Sequence, residues 1–94
     1  MQINLYATFR LIAGVKNINV DLPEGSTILE AVKAAVMSYP VLKKHWFDSN
    51  NDLHAHVHVF YNGADAIILP QGFNTPVGKN DTLDIFPPVS GGSI

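Results

Sequence analysis

The sequence predicts an α+β protein in which one main helix covers a single mixed β-sheet. Three observations lead to this prediction. The chain has 94 residues, which is the size of one small domain. Apolar and polar residues alternate in several short segments, as they do in strands with one buried face. Between these segments lies one longer stretch whose apolar residues follow helical spacing.

The composition argues against several classes of function. Hydrophobic residues make up 47% of the chain, and the net charge is −2. Without a basic stripe, neither nucleic-acid binding nor adsorption to a membrane surface is expected. The absence of cysteine excludes a disulfide framework, a thiolate nucleophile and a Cys-based zinc site. There is no cationic leader and no apolar run of ~20 residues, so we expect a cytoplasmic location.

The first half of the chain is predicted to contain two strands and the main helix. Residues 1–8 and 18–22 alternate and predict an antiparallel pair of strands, with residues 9–14 as the turn between them. Thr27 is the predicted N-cap of the helix because Glu30 follows at capping-box spacing. Ser26 is the competing cap.

The helix is predicted to end before Pro40, since the residue preceding a proline disfavours helical geometry. Residues 41–52 are polar and predict a surface segment with one helical turn. Residues 54–61 and 82–86 predict strands, and residues 66–69 a short strand. The Asn62-Gly63 pair predicts a tight turn after the first of these.

This order of elements predicts a β-grasp fold. Two strands, a helix and further strands form one sheet of about four to five strands under the helix. A right-handed crossover would place the first and last strands side by side in the middle. Residues 1–94 would then be one domain, with residues 89–94 as a flexible tail.

The end of the chain resembles the MoaD/ThiS family of ubiquitin-like sulfur carriers. Residues 81–92 read Asp-Thr-Leu-Asp-Ile-Phe-Pro-Pro-Val-Ser-Gly-Gly, which is similar to the last strand and Gly-Gly end of that family. Residues 6–14, 57–63 and 72–77 are similar to further family motifs. The long stretch 41–56 resembles the CysO-like, cysteine-synthesis branch.

The resemblance implies that the chemistry takes place on the carboxylate of Gly92, which follows Gly91. An adenylyltransferase of the ubiquitin-activating type would use ATP and Mg to adenylate this group, and a sulfur donor would then convert it to a thiocarboxylate. The sulfur would pass to an acceptor enzyme, either the molybdopterin synthase large subunit or a cysteine synthase. The chain itself would be a co-substrate that binds no cofactor or metal, not an enzyme.

The family's active form ends at Gly-Gly, whereas this chain continues with Ser93 and Ile94. Some family members carry such extensions, which a JAMM-type metalloprotease removes, so we expect the Gly92–Ser93 bond to be cleaved. The alternative interpretation is a cloning remnant or a carrier that has lost its function.

An apolar patch beside the tail is the predicted docking surface for the activating and acceptor enzymes. Phe60 and Phe86 fall on the strand face opposite the predicted core positions. Exposed apolar patches of this kind often mark interfaces. In the alternative interpretation, residues 41–52 cover the two rings. The predicted docking residues are Phe60, Phe86, Pro87, Pro88 and Val89.

Three further observations leave alternatives open. His54, His56 and His58 would share one strand face, which suggests either surface histidines or weak metal affinity. Trp46 and Phe47 suggest a satellite core cluster or a ligand platform. A ubiquitin-like protein modifier or a non-covalent binding module is the alternative function, whereas a small enzyme lacks a clustered acid–base set.

Overall fold

The structure of the chain, a computed structural model, describes residues 1–88. None of the helices in this part has the length and apolar character that a membrane-spanning segment requires. Short 3₁₀ turns cover Pro40–Leu42, Ala66–Ile68 and Gly72–Asn74. The strands and α-helices are β1 (Gln2–Leu5), α1 (Thr8–Ala13), β2 (Asn17–Asn19), α2 (Ile28–Ser38), α3 (Lys43–Trp46), β3 (His58–Tyr61), β4 (Ala64–Asp65) and β5 (Thr82–Phe86).

The five strands form one mixed sheet in the order β2-β1-β5-β3-β4. The first and last strands lie side by side in the middle and are parallel, with Gln2 opposite Thr82 and Leu5 opposite Ile85. All other pairings are antiparallel. The predicted β-grasp arrangement is therefore confirmed.

Helix α2 packs its apolar side on one face of this sheet. Ile28, Ala31, Val32 and Ala35 are buried at helical spacing along the side that faces the strands. Alternate residues of the two central strands are buried beneath them. The buried side chains form a single hydrophobic core, and the opposite face of the sheet carries half-buried residues.

The start of α2 is held by the predicted capping box. The backbone N–H of Glu30 donates to Thr27 Oγ1 over 3.2 Å, and the backbone N–H of Thr27 donates to Glu30 Oε1 over 2.9 Å. Thr27 is therefore the cap, while the hydroxyl of the competing Ser26 donates to the carbonyl oxygen of Pro23. Each of the two bonds satisfies a helix-terminal N–H group that has no partner within the helix.

The predicted turn over residues 9–14 is wrong, because residues Thr8–Ala13 form helix α1. Phe9 is buried and Ile12 half-buried, so this short helix covers part of the core. A helix of six residues is too short for its periodicity to be recognised in the sequence. Gly14 ends it in the left-handed conformation, with φ of 78°.

The segment 41–52 is also more ordered than predicted. Besides the one turn of α3, it buries Leu42, Trp46 and Phe47 in the main core, so the prediction of a separate satellite cluster is wrong. The Trp46 ring is fully buried and meets the Phe9 ring edge-on, with 5.6 Å between the centroids. The sequence did not predict the burial of these three side chains, because they stand among charged and polar residues, and such a composition is typical of a surface loop.

The turn between β3 and β4 confirms the predicted Asn-Gly signal. Asn62 and Gly63 have φ of 47° and 89°, as a type I′ turn requires. The predicted strand 66–69 is displaced, because the pairing residues are Ala64–Asp65 and a 3₁₀ turn follows. The Asp65 side chain accepts a hydrogen bond from the N–H of Ile67 and begins that turn.

A polar contact ties this turn to the beginning of β5. The Tyr61 hydroxyl donates to Asp81 Oδ2 over 2.5 Å, and the Asn62 side chain donates to Asp81 Oδ1. The hydrogen bond with Asp81 raises the pKa of Tyr61 to about 12, and the same bond lowers the pKa of the Asp81 carboxyl. These contacts position β5 before it runs towards the C-terminus.

The capping box should contribute measurably to stability. We expect Thr27→Ala to lower the free energy of unfolding by about 1 kcal/mol, because it leaves the N–H of Glu30 without its acceptor. Urea denaturation measures this difference. Ser38→Ala, at the exposed other end of the same helix, is the control and should change stability much less. Equal effects of the two substitutions would contradict a capping role.

Candidate functional site

Three aromatic rings meet on the face of the sheet that α2 leaves uncovered. Phe60 of β3 and Phe86 of β5 pack edge to face, with 5.6 Å between their centroids. Tyr6 stacks on Phe86 at 4.2 Å with an interplanar angle of 11°. All three side chains are half-buried. We call Tyr6, Phe60 and Phe86 the aromatic patch.

The structure brings four of the predicted docking residues together around one groove. Phe60, Phe86, Pro87 and Pro88 all border an open groove of about 710 Å³. The described residues of segment 41–52 do not line this groove, so the aromatic patch is not covered in the way the alternative interpretation required. The complete lining is Ala7, His58, Phe60, Gly63, Asp65, Asp84, Phe86, Pro87 and Pro88.

The two prolines mark the place where the chain leaves the sheet. Strand β5 ends at Phe86, and the prolines that follow lack the N–H groups that would continue its pairing. Pro87 and Pro88 also line a second hollow of about 530 Å³, which His45 and His56 border. Pro87 and Pro88, which we call the root of the tail, therefore lie between two hollows: one is lined by the aromatic rings and the other by histidines.

The carboxylate of Asp84 connects the central strands below the aromatic patch. Its Oδ1 accepts a hydrogen bond from Asn4 Nδ2 over 2.9 Å and from the Tyr6 hydroxyl over 3.0 Å. Asn4 lies directly opposite Asp84 in the parallel pairing, and Phe60 lies opposite it on the other side. The hydrogen bond from the hydroxyl fixes the orientation of the Tyr6 ring that stacks on Phe86.

The charges around Tyr6 are balanced between an anion and a cation. The hydrogen bond to Asp84 raises the pKa of the Tyr6 phenol, with burial and the Asp84 charge acting in the same direction, while Arg10 opposes the shift. The Arg10 guanidinium lies 5.4 Å from the centroid of the Tyr6 ring, and its Nε–H donates to the carbonyl oxygen of Leu5. Arg10 is otherwise exposed and adds a positive charge at the border of the aromatic patch.

Sequence reasoning missed Tyr6, Asp84 and Arg10 as parts of this site. Alternation places Tyr6 and Asp84 on the outer face of their strands, which was a usable signal. Their contact, however, depends on the offset between two strands that are paired in parallel, and the two residues have a sequence separation of 78. Local sequence does not specify that offset.

The histidines do not form the arrangement that a strand-borne metal site would need. Only His58 lies in β3, whereas His56 is in a turn and His54 precedes that turn. The rings of His54 and His56 stack on each other at 4.8 Å between centroids. Within residues 1–88, no group of three or more His, Asp or Glu side chains is placed to hold a metal ion.

The remaining predicted site residues are Val89, Gly91, Gly92 and Ser93. They lie outside the described residues, and their roles stay predictions. What the structure describes is the surface that precedes them in the chain: an aromatic patch, a proline step and an anchoring carboxylate.

The five-stranded mixed sheet and its helices define a β-grasp protein of the ubiquitin-like class. The chain belongs to the ThiS family, which matches residues 3–92. The resemblance that the C-terminal motif indicated is therefore confirmed. Membership places the chain among small ubiquitin-like carriers and modifiers.

The chain is also similar to named members of this group. It is 35% identical to small archaeal modifier protein 1 of Haloferax volcanii over 98% of this chain and the whole of that protein. The crystal structure of that protein superimposes with a TM-score of 0.88 at 31% identity, over 97% of each chain. A crystal structure of the Amycolatopsis orientalis BexX/CysO complex matches with a TM-score of 0.77 at 25% identity, over 97% of this chain and 98% of that one.

The contact between Tyr6 and Asp84 has a testable consequence for pH dependence. Asp84→Asn should bring the Tyr6 pKa down towards the ordinary value of about 10, because the anionic acceptor is gone. Since folding raises this pKa, its contribution to stability is complete below the unfolded value and is lost as pH rises through the folded value. NMR titration of the Tyr6 ring measures the shift.

Asp65→Asn is the matched control for this titration. Asp65 lines the same groove, but its carboxylate accepts from the N–H of Ile67 and not from Tyr6. The control variant should therefore leave the Tyr6 pKa in place. An unchanged Tyr6 pKa in Asp84→Asn would contradict the assigned hydrogen bond.

Proposed function

We propose that this chain is a sulfur carrier whose C-terminal Gly92 carboxylate is activated as an acyl-adenylate and converted to a thiocarboxylate. The observation that carries this proposal is the aromatic patch at the root of the tail, on a protein of the ThiS family. The patch is a preformed apolar surface whose Phe86 lies six residues before the predicted reacting group, Gly92, where an activating enzyme would have to bind.

The chemistry requires activation because a carboxylate is a poor acyl donor. A carboxylate oxygen of Gly92 would attack the α-phosphorus of Mg-ATP, with pyrophosphate as the leaving group. A sulfur donor at the oxidation level of hydrosulfide would then attack the acyl carbon and release AMP. The carrier's contribution is recognition and an accessible end, while the activating enzyme supplies the catalytic groups.

The proline step and the glycines suit this division of roles. Each proline fixes φ near −65°, so the tail starts in a set direction from the end of β5. Gly91 and Gly92 have no Cβ and can enter a narrow active-site channel. Ordering such a segment costs roughly 1–2 kcal/mol per residue, which contacts at the aromatic patch would offset.

Activation requires removal of Ser93 and Ile94. In the uncut chain the carbonyl of Gly92 belongs to a peptide bond and offers no carboxylate to ATP. Cleavage of the Gly92–Ser93 bond, by a JAMM-type protease, would release the reacting group. The proposed sulfur acceptor is the molybdopterin synthase large subunit or a cysteine synthase, and the proposed compartment is the cytoplasm.

A ubiquitin-like protein modifier is the second candidate. It is favoured by 35% identity over the whole length of a protein called a small archaeal modifier. Both functions share the adenylate at Gly92 and differ in the nucleophile that follows, which is sulfur in one and a lysine amine in the other. Intact mass separates them, because a carrier exchanges one oxygen for sulfur whereas a modifier forms isopeptide adducts on other proteins.

The first test compares the full chain with a chain ending at Gly92. Incubated with ATP, Mg and an activating enzyme of the ubiquitin type, the shortened chain should gain the mass of an adenylyl group (AMP less one water), and the full chain should not. A Gly92-ended chain in which Gly91 is replaced by Val is the control, because its side chain would obstruct a narrow channel. If the shortened chain accepts no AMP from any such enzyme, the proposal is wrong.

The second test addresses the aromatic patch. Phe86→Asp in the Gly92-ended chain should slow adenylation at least about tenfold, because an anion replaces a central apolar contact of the interface, which corresponds to about 1.4 kcal/mol. Met37→Asp is the matched control, since Met37 is 83% exposed on the helix side of the molecule. Amide NMR spectra check that both variants remain folded. An unchanged rate for folded Phe86→Asp would exclude the patch as the docking surface.

A further inference from the structure

The side of the molecule opposite the aromatic patch carries a second unusual surface. It is formed by the solvent side of α2 and the turn that leads into α3. Because α2 packs its other side on the sheet, this surface and the aromatic patch point away from each other. We call it the lysine surface and define it as Lys33, Met37, Pro40, Val41, Lys43 and Lys44.

The lysine surface combines exposed apolar side chains with a concave floor. Met37 is 83% exposed and Val41 is 48% exposed. Two hollows, of about 440 Å³ and about 680 Å³, adjoin along this surface. They share Pro40, Lys43 and the buried ring of Phe47, so they lie side by side, and we refer to the two together as the depression.

The charge of this region is opposite to that of the rest of the chain. Residues 31–47 contain three lysines and no acidic residue. The other residues therefore carry three of the six Lys and Arg and all eight Asp and Glu, a formal charge of 3 − 8 = −5 against +3 here. A cationic region on an otherwise anionic protein attracts acidic partners and repels cationic ones.

Solubility alone does not account for this arrangement. Lysines on a helix commonly lie over apolar surface with their stems while the ammonium groups remain in water. Here the three lysines surround Met37 and Val41 without covering them. Asp48 borders the second hollow, and its carboxylate accepts from the backbone N–H groups of its own turn, at residues 50 and 52.

We propose that the lysine surface binds a short acidic segment of a partner protein, with carboxylates paired to the lysines and an apolar side chain in the depression. The combination of charge and exposed apolar groups matches an amphipathic acidic helix, which docks its apolar side in a groove. Three lysines without an aromatic side chain exposed between them match a nucleic acid or an anionic bilayer less well, because those ligands require denser positive charge or stacking.

This proposal is independent of the activation of Gly92. The lysine surface shares no residue with the aromatic patch or with the groove beside it. The depression ends at His54, whose ring stacks on His56 in the hollow beside Pro87 and Pro88, so a short segment bound there would leave the groove of the aromatic patch open to a second protein. Loss of binding at the lysine surface and loss of adenylation are therefore distinguishable results.

The test uses NMR of the full chain and a synthetic helical peptide with Glu along one side and Leu along the other. We expect amide shifts concentrated in residues 33–51 and weakening of binding as salt screens the charges. Lys43→Glu with Lys44→Glu should raise the dissociation constant at least about tenfold, which corresponds to about 1.4 kcal/mol. Met37→Gln should also weaken binding, because the apolar contact is lost.

Two controls show whether binding depends on the position of the lysines, on the net charge of the chain or on the acidic residues of the peptide. Lys16→Glu with Lys79→Glu changes the net charge equally at two exposed positions elsewhere, and should bind as the original chain does. A peptide with Gln in place of Glu should bind more weakly. The proposal is overturned if shifts fall on the aromatic patch, if both double variants bind alike, or if the peptide does not bind.

Three other ligands complete the test. Duplex DNA and vesicles containing anionic lipid are titrated against the same chain, and the chain is titrated against itself by dilution. Tighter binding of DNA or vesicles than of the peptide at Lys43 and Lys44 would overturn the choice of a protein partner. Concentration-dependent shifts at these lysines without peptide would show that a second copy of the chain occupies the surface instead.

Discussion

The parallel pairing of β1 with β5 is the constraint on which the rest of this structure depends. It brings residues 2–5 beside residues 82–86 and places both strands in the middle of the sheet. On one face their alternate side chains, including Leu5 and Leu83, form the centre of the core under α2. On the other face the same pairing sets Tyr6 against Phe86 and so creates the aromatic patch. The core and the aromatic patch are therefore two consequences of one strand register.

The two faces of the molecule differ in the side chains that they expose. The sheet face presents stacked rings beside the point where the chain leaves the fold, with one anchoring carboxylate, Asp84. The helix face presents Lys43 and Lys44 around exposed aliphatic groups. A domain of this size cannot enclose a large cavity, because nearly all its apolar volume is needed for the core. Its specificity must therefore reside in such surfaces, and these two share no residue.

The sequence predicts those parts of the fold and of the site that depend only on residues close together in the chain. The capping box of α2, the Asn-Gly turn and the alternation of the last strand each specify their structure within a few residues. Helix α1 and the buried Trp46 were missed because their signals are two or three apolar residues in polar surroundings. Phe60 and Phe86 were found from alternation alone. The hydrogen bond between Tyr6 and Asp84 could not be predicted from the sequence, because only the register between β1 and β5 brings such distant residues together.

The hydrogen bond between Tyr6 and Asp84 spans 78 residues of chain, which has a consequence for biosynthesis. Contacts of such large sequence separation belong to the slow, non-local part of folding, since loop closure must precede them. The last strand leaves the ribosome only after every other element of the domain has been made. An unfinished or misfolded chain thus lacks the aromatic patch. Under the proposed function, the topology would act as quality control, since an activating enzyme would find its binding surface only on completely folded molecules.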